Sequence, residues 1–537
     1  MGSYGTNGEL DADKLVSNFS KISGYGGVTE TAGTRFPMTV TVDGKSFTIS
    51  DTGVVGKPLP TISKNNLKVT TVADKETEIT TTSTNKPQSG TPLELSFDVS
   101  ISEGTITGAD KGTLTNGKVT YDTNGTETEV TFTFTLSGVD NSIPNTVTIN
   151  LGSYYKVPQP GEPETPSVAN MQYVTWTLSN GTYSEVLSAT EPQEWYNYDN
   201  GQWANIKTTN NGLEAYWVWI PRFEYVVPTS EDATQIEVKL ITTAITTPDS
   251  GYTIHPAFTF NGNPIDGIWV AKFEANSSSP STSYGGGDSN SLKVQVKPGI
   301  QSWRNISTNN IFTVCRSMTQ TGGALAGSTN IDSHMMKNIE WGAVAILSQS
   351  KYGVFNPQSA NSGKIWNNPY GYNTGATILT GYAGSEADAS TTFNSSSAPA
   401  SSAVSEYNKG NGPKASTTGT VYGVYDMAGG SSEYVAGCLN GQENSKFGVI
   451  TANSTYVDLY TNTANSYTNY DGAKVGDATA ETKSWNGDYA YFVYSGYPVF
   501  SRGGNYYDGA TAGVFAFSSH DGYAYGSYSF RPVFVGL

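Results

Sequence analysis

The sequence is poor in charge and shows no basic region. Charged residues make up 14% of its 537 residues, and 30 Lys and Arg against 47 Asp and Glu give a formal net charge of -17 at pH 7. A nucleic-acid-binding chain usually carries a basic domain or stripe, so this composition excludes nucleic acid as a partner. Coiled coils and helical repeats need abundant Ala, Glu, Lys and Leu, and they are excluded too. No apolar run approaches about 18 residues, so we expect no membrane span in the given chain.

Cysteine and histidine are scarce. The two cysteines, Cys315 and Cys438, are too few for a disulfide framework, and they could form one bridge or remain two buried thiols. The three histidines, His255, His334 and His520, lack the spacing of metal ligands, so we expect them to pack in the core or lie on the surface. The pattern predicts no metal site built from these residues and no cofactor, with a structural calcium ion as the one open alternative.

Glycine, serine, threonine, asparagine and tyrosine take the place of the missing charge. The chain has 59 Gly and 34 Tyr. This composition suits strands, turns and long loops, and it is typical of an extracellular β-rich surface protein. At roughly 150 residues per domain the length predicts three to four domains. We therefore predict a multidomain, β-rich fold.

The first 157 residues predict two small units. Residues 1–60 are predicted to form an α+β unit, with a helix over residues 8–22 and a hairpin whose strands flank Asp43–Gly44. Residues 61–157 contain alternating strands at short spacing with turn residues between them, which predicts an immunoglobulin-like (Ig-like) β-sandwich. This stretch lacks the Cys and Trp residues of an antibody domain, so only the sandwich architecture is inferred.

The remaining chain divides into a predicted linker and one long domain. Residues 158–167 hold four prolines in ten positions, a composition that predicts a semi-rigid spacer. Residues 168–537 contain all ten tryptophans, and strand-like runs such as 216–227 and 489–496 alternate with Gly-, Asn- and Ser-rich loops. One helix is predicted after an N-cap at Asn338, with a single apolar face.

Two groups of residues in this domain have alternative interpretations. Trp217, Trp219 and Trp269 could form a carbohydrate platform, but they stand in alternating apolar runs, which favours the core. Asp426 and Glu433 could bind calcium or hydrogen-bond loop backbones. We favour the second role because one calcium ion needs several oxygen ligands.

Residues 501–537 combine an apolar frame with polar clusters. The frame consists of residues 502–504, 512–517 and 530–532, and its alternation predicts strands. Tyr anchors with small polar groups are typical of antibody paratopes, because Tyr buries a large area while losing few torsions. We predict a ligand-binding face here, and the alternative is a packed Tyr-rich edge without a partner. The candidate ligand-binding residues, here called the terminal cluster residues, are Asn505, Tyr506, Tyr507, Asp508, Ser518, Ser519, His520, Asp521, Tyr523, Tyr525, Ser527 and Tyr528.

The terminal cluster residues share a property of their codons. Each of the twelve amino acids can be encoded by a codon whose third base is C. The set is therefore what results when only the first two bases of such codons are varied. None of them is Lys, Glu, Gln, Met or Trp. Mutagenesis targeted to the adenines of Asn codons leaves this pattern, so the hypothesis is that the face is hypervariable.

Three motifs follow one another in the C-terminal region. The helical segment IEWGAVAIL carries Trp341 and Ala345, GTVYGVYDMAGGSSEYVAG spans residues 419–437, and SRGG…SFRPV comes last. They resemble, in this order, the SW-x-x-A-x-x-Y helix, the FGLYDMAGNVWEWV motif and the terminal RGGSW…GFR motif of the formylglycine-generating-enzyme (sulfatase-modifying-factor) variant of the C-type-lectin-like fold. The resemblance covers residues 168–537 and implies an α+β C-type-lectin-like domain. Tyr434 stands where that family has Trp, which is a structural departure.

Two branches of that family differ in function. The oxidase branch binds copper through a pair of C-terminal cysteines, and this sequence has no cysteine after Cys438, which disfavours an oxidase. The other branch comprises the variable proteins of diversity-generating retroelements, including the phage major tropism determinant. Those proteins bind ligand through hypervariable residues on the last strands and loops of the domain. The resemblance to this branch implies non-catalytic ligand recognition by the terminal cluster residues.

The N-terminal unit resembles pilin-like surface proteins of gut-type Gram-positive bacteria. The resemblance rests on NGELDADKLVSNFSK and FPMTVTVDGKSFTISDTG. An apolar helix precedes this point in those proteins and is not seen here, so anchoring is inferred from the resemblance. Together the resemblances imply an extracellular, cell-surface adhesin whose partner is a protein or glycan on another cell or host surface. A phage tail-fibre receptor-binding protein, carried on a virion tail, is the alternative.

Overall fold

The protein is β-rich and has more than one compact unit. The computed structural model describes residues 38–42, 45–49, 55–58, 61–83, 86–87, 90–125, 127–139, 145–156, 158–228, 235–280, 283–361, 363–370, 377–386, 404–448 and 455–537. Strands make up 35% of the structure and helices 12%, which confirms the predicted β-rich class. The chain divides into one unit of Met1–Val157 and a second of Pro158–Leu537. Within the described ranges, no helix is long and apolar enough to cross a membrane.

The first unit begins with a small antiparallel sheet in the order β1–β2–β3. In its hairpin Met38 pairs with Ile49 and Val42 pairs with Lys45, which confirms the predicted hairpin. The helix predicted over residues 8–22 lies outside the described residues. The strands of the unit are β1 (Met38–Val42), β2 (Lys45–Ile49), β3 (Val55–Pro58), β4 (Ile62–Thr71), β5 (Leu93–Ile101), β6 (Thr105–Ala109), β7 (Thr113–Thr115), β8 (Lys118–Asp122), β9 (Glu129–Ser137) and β10 (Thr146–Asn150).

Strands β4 to β10 form two sheets around a common core. One sheet has the order β4–β5–β8–β7 and the other the order β10–β9–β6. Alternation along β9 turns Val130, Phe132, Phe134 and Leu136 inward, as a strand period of two requires. The Phe132 ring meets Phe97 of β5 edge-on, with 5.1 Å between the ring centroids. The two sheets therefore pack face to face as a sandwich.

The second unit mixes two larger sheets with short helices. Its helices are α1 (Thr308–Arg316), α2 (Asn338–Ser348) and α3 (Glu443–Phe447). Its strands are β11 (Met171–Ser179), β12 (Thr182–Ser188), β13 (Asn205–Asn210), β14 (Leu213–Pro221), β15 (Phe223–Val226), β16 (Glu237–Leu240), β17 (Thr253–Ile254), β18 (Thr259–Phe260), β19 (Asn263–Pro264), β20 (Gly267–Ala271), β21 (Asn276–Ser277), β22 (Val294–Gln295), β23 (Ile331–Met335), β24 (Trp366–Asn367), β25 (Tyr382–Ala383), β26 (Ser385–Glu386), β27 (Ser405–Glu406), β28 (Ser432–Leu439), β29 (Asp458–Tyr460), β30 (Val499–Arg502), β31 (Phe517–His520), β32 (Tyr528–Phe530) and β33 (Pro532–Gly536).

The larger sheet of this unit holds the tryptophan core. Its strand order is β12–β11–β13–β14–β20–β33–β23. Trp217 and Trp219 of β14 and Trp269 of β20 are fully buried. The Phe534 ring of β33 lies 4.8 Å from Trp217 and 6.0 Å from Trp269. These tryptophans belong to the core, which confirms that interpretation over a carbohydrate platform.

The second sheet carries the C-terminal motifs. Its order is β29–β28–β30–β31, and β32 also pairs with β28. Glu433 of β28 pairs with Arg502 of β30 on one side and with Ser529 of β32 on the other. The segments that resemble the second and third motifs are therefore neighbours in one sheet.

Helix α2 differs from its prediction in two respects. Its N-cap is Lys337, and the predicted cap, Asn338, is already the first helical residue. Two carboxylates cap it, because Glu340 accepts from the Lys337 N–H at 2.8 Å and Asp458 from the Ile339 N–H at 2.8 Å. Every residue of the helix is buried, so a single apolar face was the wrong expectation. The polar groups at its start are buried together with their partners.

Two segments were wrongly predicted from their composition. Residues 489–496 form only isolated bridges, between Ala490 and Phe517 and between Tyr494 and Tyr497, and no strand. The Pro-rich residues 158–167 belong to the second unit and are packed on it: Gly161 and Pro163 are buried. Burial also raises the pKa of Glu164 to about 7. The segment is therefore part of a folded unit and no free spacer.

The cysteines and two of the histidines lie in the core of the second unit. Cys315 and Cys438 are buried, unbridged thiols, and burial raises the pKa of Cys438 to about 12. His255 is enclosed by aromatic rings, and burial lowers its pKa to about 3. His334 lies between Asp332 and Glu340, whose oxygens are 3.2 Å and 2.9 Å from its ring nitrogens. Burial lowers the pKa of His334, but these two carboxylates outweigh it and the net shift is upward.

Buried carboxylates make us expect greater stability below neutral pH. Five of them, namely Glu164, Glu433, Glu481, Asp458 and Asp508, have a pKa above the unfolded value, so their stabilising contribution is complete below about pH 4 and is lost as the pH rises through the folded pKa. His255 and His520, with lowered pKa values, oppose this trend below about pH 6.5. We expect the melting temperature, measured by circular dichroism, to fall by a few degrees between pH 5.5 and pH 8. An equal or higher value at pH 8 would contradict this. Burial raises the pKa of Glu164, Glu433 and Glu481 to about 7 and of Asp458 and Asp508 to about 6.

Candidate functional site

A buried ion pair joins the second and third motifs beneath the C-terminal strands. The Arg531 guanidinium donates to Glu433 through Nη2 at 2.5 Å and Nε at 3.1 Å. It also donates to the carbonyls of Ala271 and Tyr425 at 2.7 and 2.8 Å. Both charged side chains are at most 1% exposed. The pair fixes β28 to Arg531, the residue that connects β32 to β33.

Neighbouring carboxylates hold the loops of the second motif. Asp426 has a left-handed backbone, with a φ of 62°, and its carboxylate accepts from the Gly381 N–H at 2.9 Å and from Asn368 at 2.8 Å. Glu274 accepts from the Ser431 N–H at 2.6 Å. Burial raises the pKa of Asp426 and of Glu274. In the described part of the chain, no group of three or more His, Cys, Asp or Glu side chains is arranged to hold a metal ion.

Trp341 links the first motif to the third. Its indole N–H donates to the carbonyl of Val514 at 2.8 Å. Its ring lies against Gly503, whose φ is 83°, and a Cβ at that position would stand 3.2 Å from the ring. Only glycine combines this backbone with such a close approach. The buried helix α2 thereby supports the start of the C-terminal segment.

The structure brings the second and third polar clusters together around His520. Its Nδ1 lies 2.9 Å from the Asp521 carboxylate and 2.9 Å from the hydroxyl of Tyr434. Its ring centroid lies 4.6 Å from that of Tyr525 and 4.5 Å from that of Tyr528. Since β31 carries His520 and β32 carries Tyr528, this contact joins the second cluster to the third across the second sheet.

The first cluster lies beside this group. Tyr506 and Tyr507 meet edge-on with centroids 5.0 Å apart. The pKa of Tyr528 is raised, mainly by burial and further by the nearby Tyr507 and Asp508. The three clusters, separate in the sequence, are therefore adjacent in the fold.

The terminal cluster residues differ in exposure. Tyr507, Tyr523 and Tyr525 are 46%, 63% and 40% exposed. Asn505 is buried instead: its side-chain carbonyl accepts from the Tyr507 N–H at 3.2 Å, and its own N–H donates to Asp508 at 2.9 Å. Asn505 therefore shapes the turn that presents Tyr507, while the other members are partly or largely exposed.

The titratable groups of the face have shifted pKa values. Burial raises the pKa of Asp508 to about 6. Burial likewise raises that of Asp521, but hydrogen bonds from the Tyr523 N–H and the Tyr525 hydroxyl, and the neighbouring His520, outweigh it and lower the pKa overall. Burial lowers the pKa of His520, although Asp521 opposes this. At neutral pH both carboxylates are therefore largely ionised while His520 is neutral, so these groups place net negative charge beside the aromatic rings of the face.

Sequence reasoning missed several members of this surface. Tyr434 donates to the Tyr523 carbonyl at 2.9 Å and stacks on Tyr528 at 4.7 Å. Tyr497 lies 6.0 Å from the His520 ring, centroid to centroid. The dense tyrosines of residues 489–497 were a signal, but their alternation favoured a strand. Tyr284 also belongs here, since its ring lies against Gly526 and Arg304.

The exposed tyrosines of the described residues gather on one continuous surface. Arg304 lies 5.4 Å from the Tyr284 ring, and both influence the pKa of Tyr506, which burial mainly raises. The Tyr497 ring contacts Tyr494, and the Tyr494 ring in turn lies near Tyr467. We call this the tyrosine surface, and its exposed members are Tyr284, Tyr467, Tyr491, Tyr497, Tyr507, Tyr523 and Tyr525.

Comparison with known proteins adds no relative from which a role could be taken. No family model matches the chain, and no curated protein matches it. The function must therefore be inferred from the tyrosine surface and the frame that supports it.

Proposed function

We propose that the protein recognises a ligand without converting it, as a surface-displayed adhesin. Its C-terminal domain presents a variable face rich in Tyr, Ser, Asp and Asn, diversified by a retroelement. The observation that carries this proposal is the tyrosine surface, on which the exposed tyrosines of the terminal clusters adjoin those of neighbouring loops. Tyr offers a large amphipathic contact area at low cost in conformational entropy, as in antibody paratopes.

The proposed domains follow the sequence prediction. A pilin-like base over residues 1–60 and an Ig-like spacer over residues 61–157 precede the C-type-lectin-like head. In the spacer, the first, second, fifth and fourth strands form one sheet, and the seventh, sixth and third form the other. That order corresponds to the ABED and GFC sheets of constant-type Ig domains, which supports the Ig-like assignment.

The head is proposed as C-type-lectin-like because its three motifs meet in one core. The Glu433–Arg531 pair joins the second and third motifs, and Trp341 joins the first to the third. Burial raises the pKa of both Cys315 and Cys438, which is the opposite of what a reactive thiolate needs. These observations favour a recognition domain over the oxidase branch of the family.

A cell-binding assay tests the recognition role. The full chain, labelled with a fluorophore, is applied to a panel of intact animal and bacterial cells and followed by flow cytometry. We expect saturable binding to at least one cell type, displaced by excess unlabelled chain. Binding that is absent from every cell type, or that never saturates, would contradict the proposal.

Sequencing of the gene in sibling strains tests the diversification. We expect codon differences concentrated at the terminal cluster residues, with the frame residues unchanged. A near-copy of the last codons, with adenines at the variable positions, should lie beside a reverse transcriptase gene. Identical codons at all twelve positions across siblings would contradict diversification and leave a fixed binding face.

A further inference from the structure

Five tyrosines outside the terminal clusters form a row of touching rings. Tyr467 meets Tyr491 edge-on at 5.1 Å, and Tyr489 lies 5.8 Å from Tyr491, centroid to centroid. Tyr494 lies 6.5 Å from Tyr467 and 5.6 Å from Tyr497. We call this row the tyrosine ridge. Tyr467, Tyr491 and Tyr497 are 47%, 42% and 44% exposed.

The ridge is held rigidly from beneath. Phe492 and Val493 are buried between its exposed tyrosines. The Phe492 N–H donates to the Tyr467 carbonyl at 2.8 Å, and the Tyr491 N–H donates to the Phe517 carbonyl at 3.0 Å. A loop fixed in this way loses little conformational freedom on binding, so its tyrosines are pre-organised for a ligand.

The ridge offers hydroxyl groups and aromatic rings, and no charge. Within the described residues, none of the five tyrosine hydroxyls makes a hydrogen bond. Residues 489–500 contain no Asp, Glu, Lys, Arg or His. Where two tyrosine rings meet edge to face, the ring that contributes its edge has neither of its two flat faces covered by that contact. The ridge therefore presents flat apolar surfaces flanked by unpaired hydroxyls that can donate and accept hydrogen bonds.

This chemistry favours one class of ligand. Residues 489–497 contain no charged side chain, and their large exposed side chains are tyrosines. An anionic glycan would need a cation, and none of the five ridge residues supplies one; Lys483 lies beside the ridge, 4.4 Å from the Tyr470 ring centroid. A neutral sugar has apolar C–H faces that can pack on rings and hydroxyls that pair with tyrosine hydroxyls.

We propose that the tyrosine ridge binds a neutral oligosaccharide. Tyr497 joins the ridge to His520, so a ligand that begins on the ridge reaches the terminal clusters. The inference rests on the proposed recognition function and deepens it, because it names the ligand class for the part of the surface outside the variable positions.

The test uses an array of immobilised oligosaccharides, half neutral and half sialylated or sulfated, probed with the full chain. The ridge variant is Tyr467→Ala/Tyr491→Ala/Tyr497→Ala, and a second variant replaces the same residues by Phe. The control variant, Leu178→Ala/Val186→Ala/Leu187→Ala, removes equally exposed apolar side chains from β11 and β12. Melting temperatures of all variants confirm folding.

We expect neutral oligosaccharides to bind and the Ala variant to bind them at least tenfold more weakly, with the control unchanged. The Phe variant should bind at an intermediate level, because it keeps the rings and loses the hydroxyls. Binding only to anionic oligosaccharides, no binding to neutral ones, or unchanged binding by the Ala variant would each overturn the inference. Saturable cell binding in any of those cases would show that the proposed recognition function stands without it.

Discussion

Replacing Arg531 by methionine is expected to lower the free energy of unfolding of the second unit by about 3–5 kcal/mol. The substitution leaves the Glu433 carboxylate buried without its partner, and it removes donors from the carbonyls of Ala271 and Tyr425. Urea unfolding followed by tryptophan fluorescence measures the effect, because all ten tryptophans lie in residues 168–537.

Two further variants separate the buried charge from a general effect of losing an ion pair. Adding Glu433→Leu to Arg531→Met removes both charges and should recover part of the lost stability. Lys409→Met breaks an ion pair to Glu406 that is about half exposed, and it should cost at most about 1 kcal/mol. A double variant that is less stable than Arg531→Met alone would show that the unpaired carboxylate is not the cause.

The Arg531→Met loss should also depend on pH. Burial raises the pKa of Glu433 to about 7 even with its partner present. Without the guanidinium the carboxyl should take up a proton more readily, because the attraction that favours the charged form is gone. The loss should therefore be smaller at pH 5.5 than at pH 8.

Local patterns were sufficient to predict much of the fold. The alternation around Asp43–Gly44 predicted the β1–β2 hairpin, because a hairpin is fixed by its turn and its own two strands. The alternating runs that hold Trp217, Trp219 and Trp269 predicted core strands, and those residues are buried. Each of these features depends on residues close together in the sequence.

Features that depend on distant residues were missed. Helix α2 is capped by Asp458, about 120 residues away along the chain, and is buried on every side. Its sequence alone predicted a one-faced helix because periodicity does not show what packs on the other faces. Residues 158–167 have the composition of a spacer, yet Gly161 and Pro163 are buried against the second unit. The composition of a segment indicates how the isolated segment behaves, and it does not show whether the rest of the protein packs on it.

The sequence identified the terminal clusters, and their role in ligand binding is a prediction. The terminal clusters were recognised because Tyr, Ser, Asp and Asn stand between apolar frame residues. Tyr434 and Tyr497 join them only through contacts across strands and loops, such as the Tyr434 hydroxyl on the Tyr523 carbonyl. Asn505 is buried, which its place among polar residues did not reveal.

Replacing Tyr507, Tyr523 and Tyr525 together by alanine is expected to weaken cell binding at least about 100-fold. These tyrosines are the most exposed members of the terminal clusters. An aromatic anchor at the centre of an interface is worth about 2 kcal/mol or more, and about 1.4 kcal/mol is tenfold in affinity. The fold should be little affected, since exposed side chains away from the core contribute within about 0.5 kcal/mol.

The affinity of this triple variant for intact cells is the most direct test of the tyrosine surface as the recognition site. It is measured beside the control variant Leu178→Ala/Val186→Ala/Leu187→Ala, with melting temperatures recorded for both. We predict that the tyrosine variant loses binding while its melting temperature stays within a few degrees of the parent, and that the control binds as the parent does. Full binding by the folded tyrosine variant would contradict the assignment of this surface.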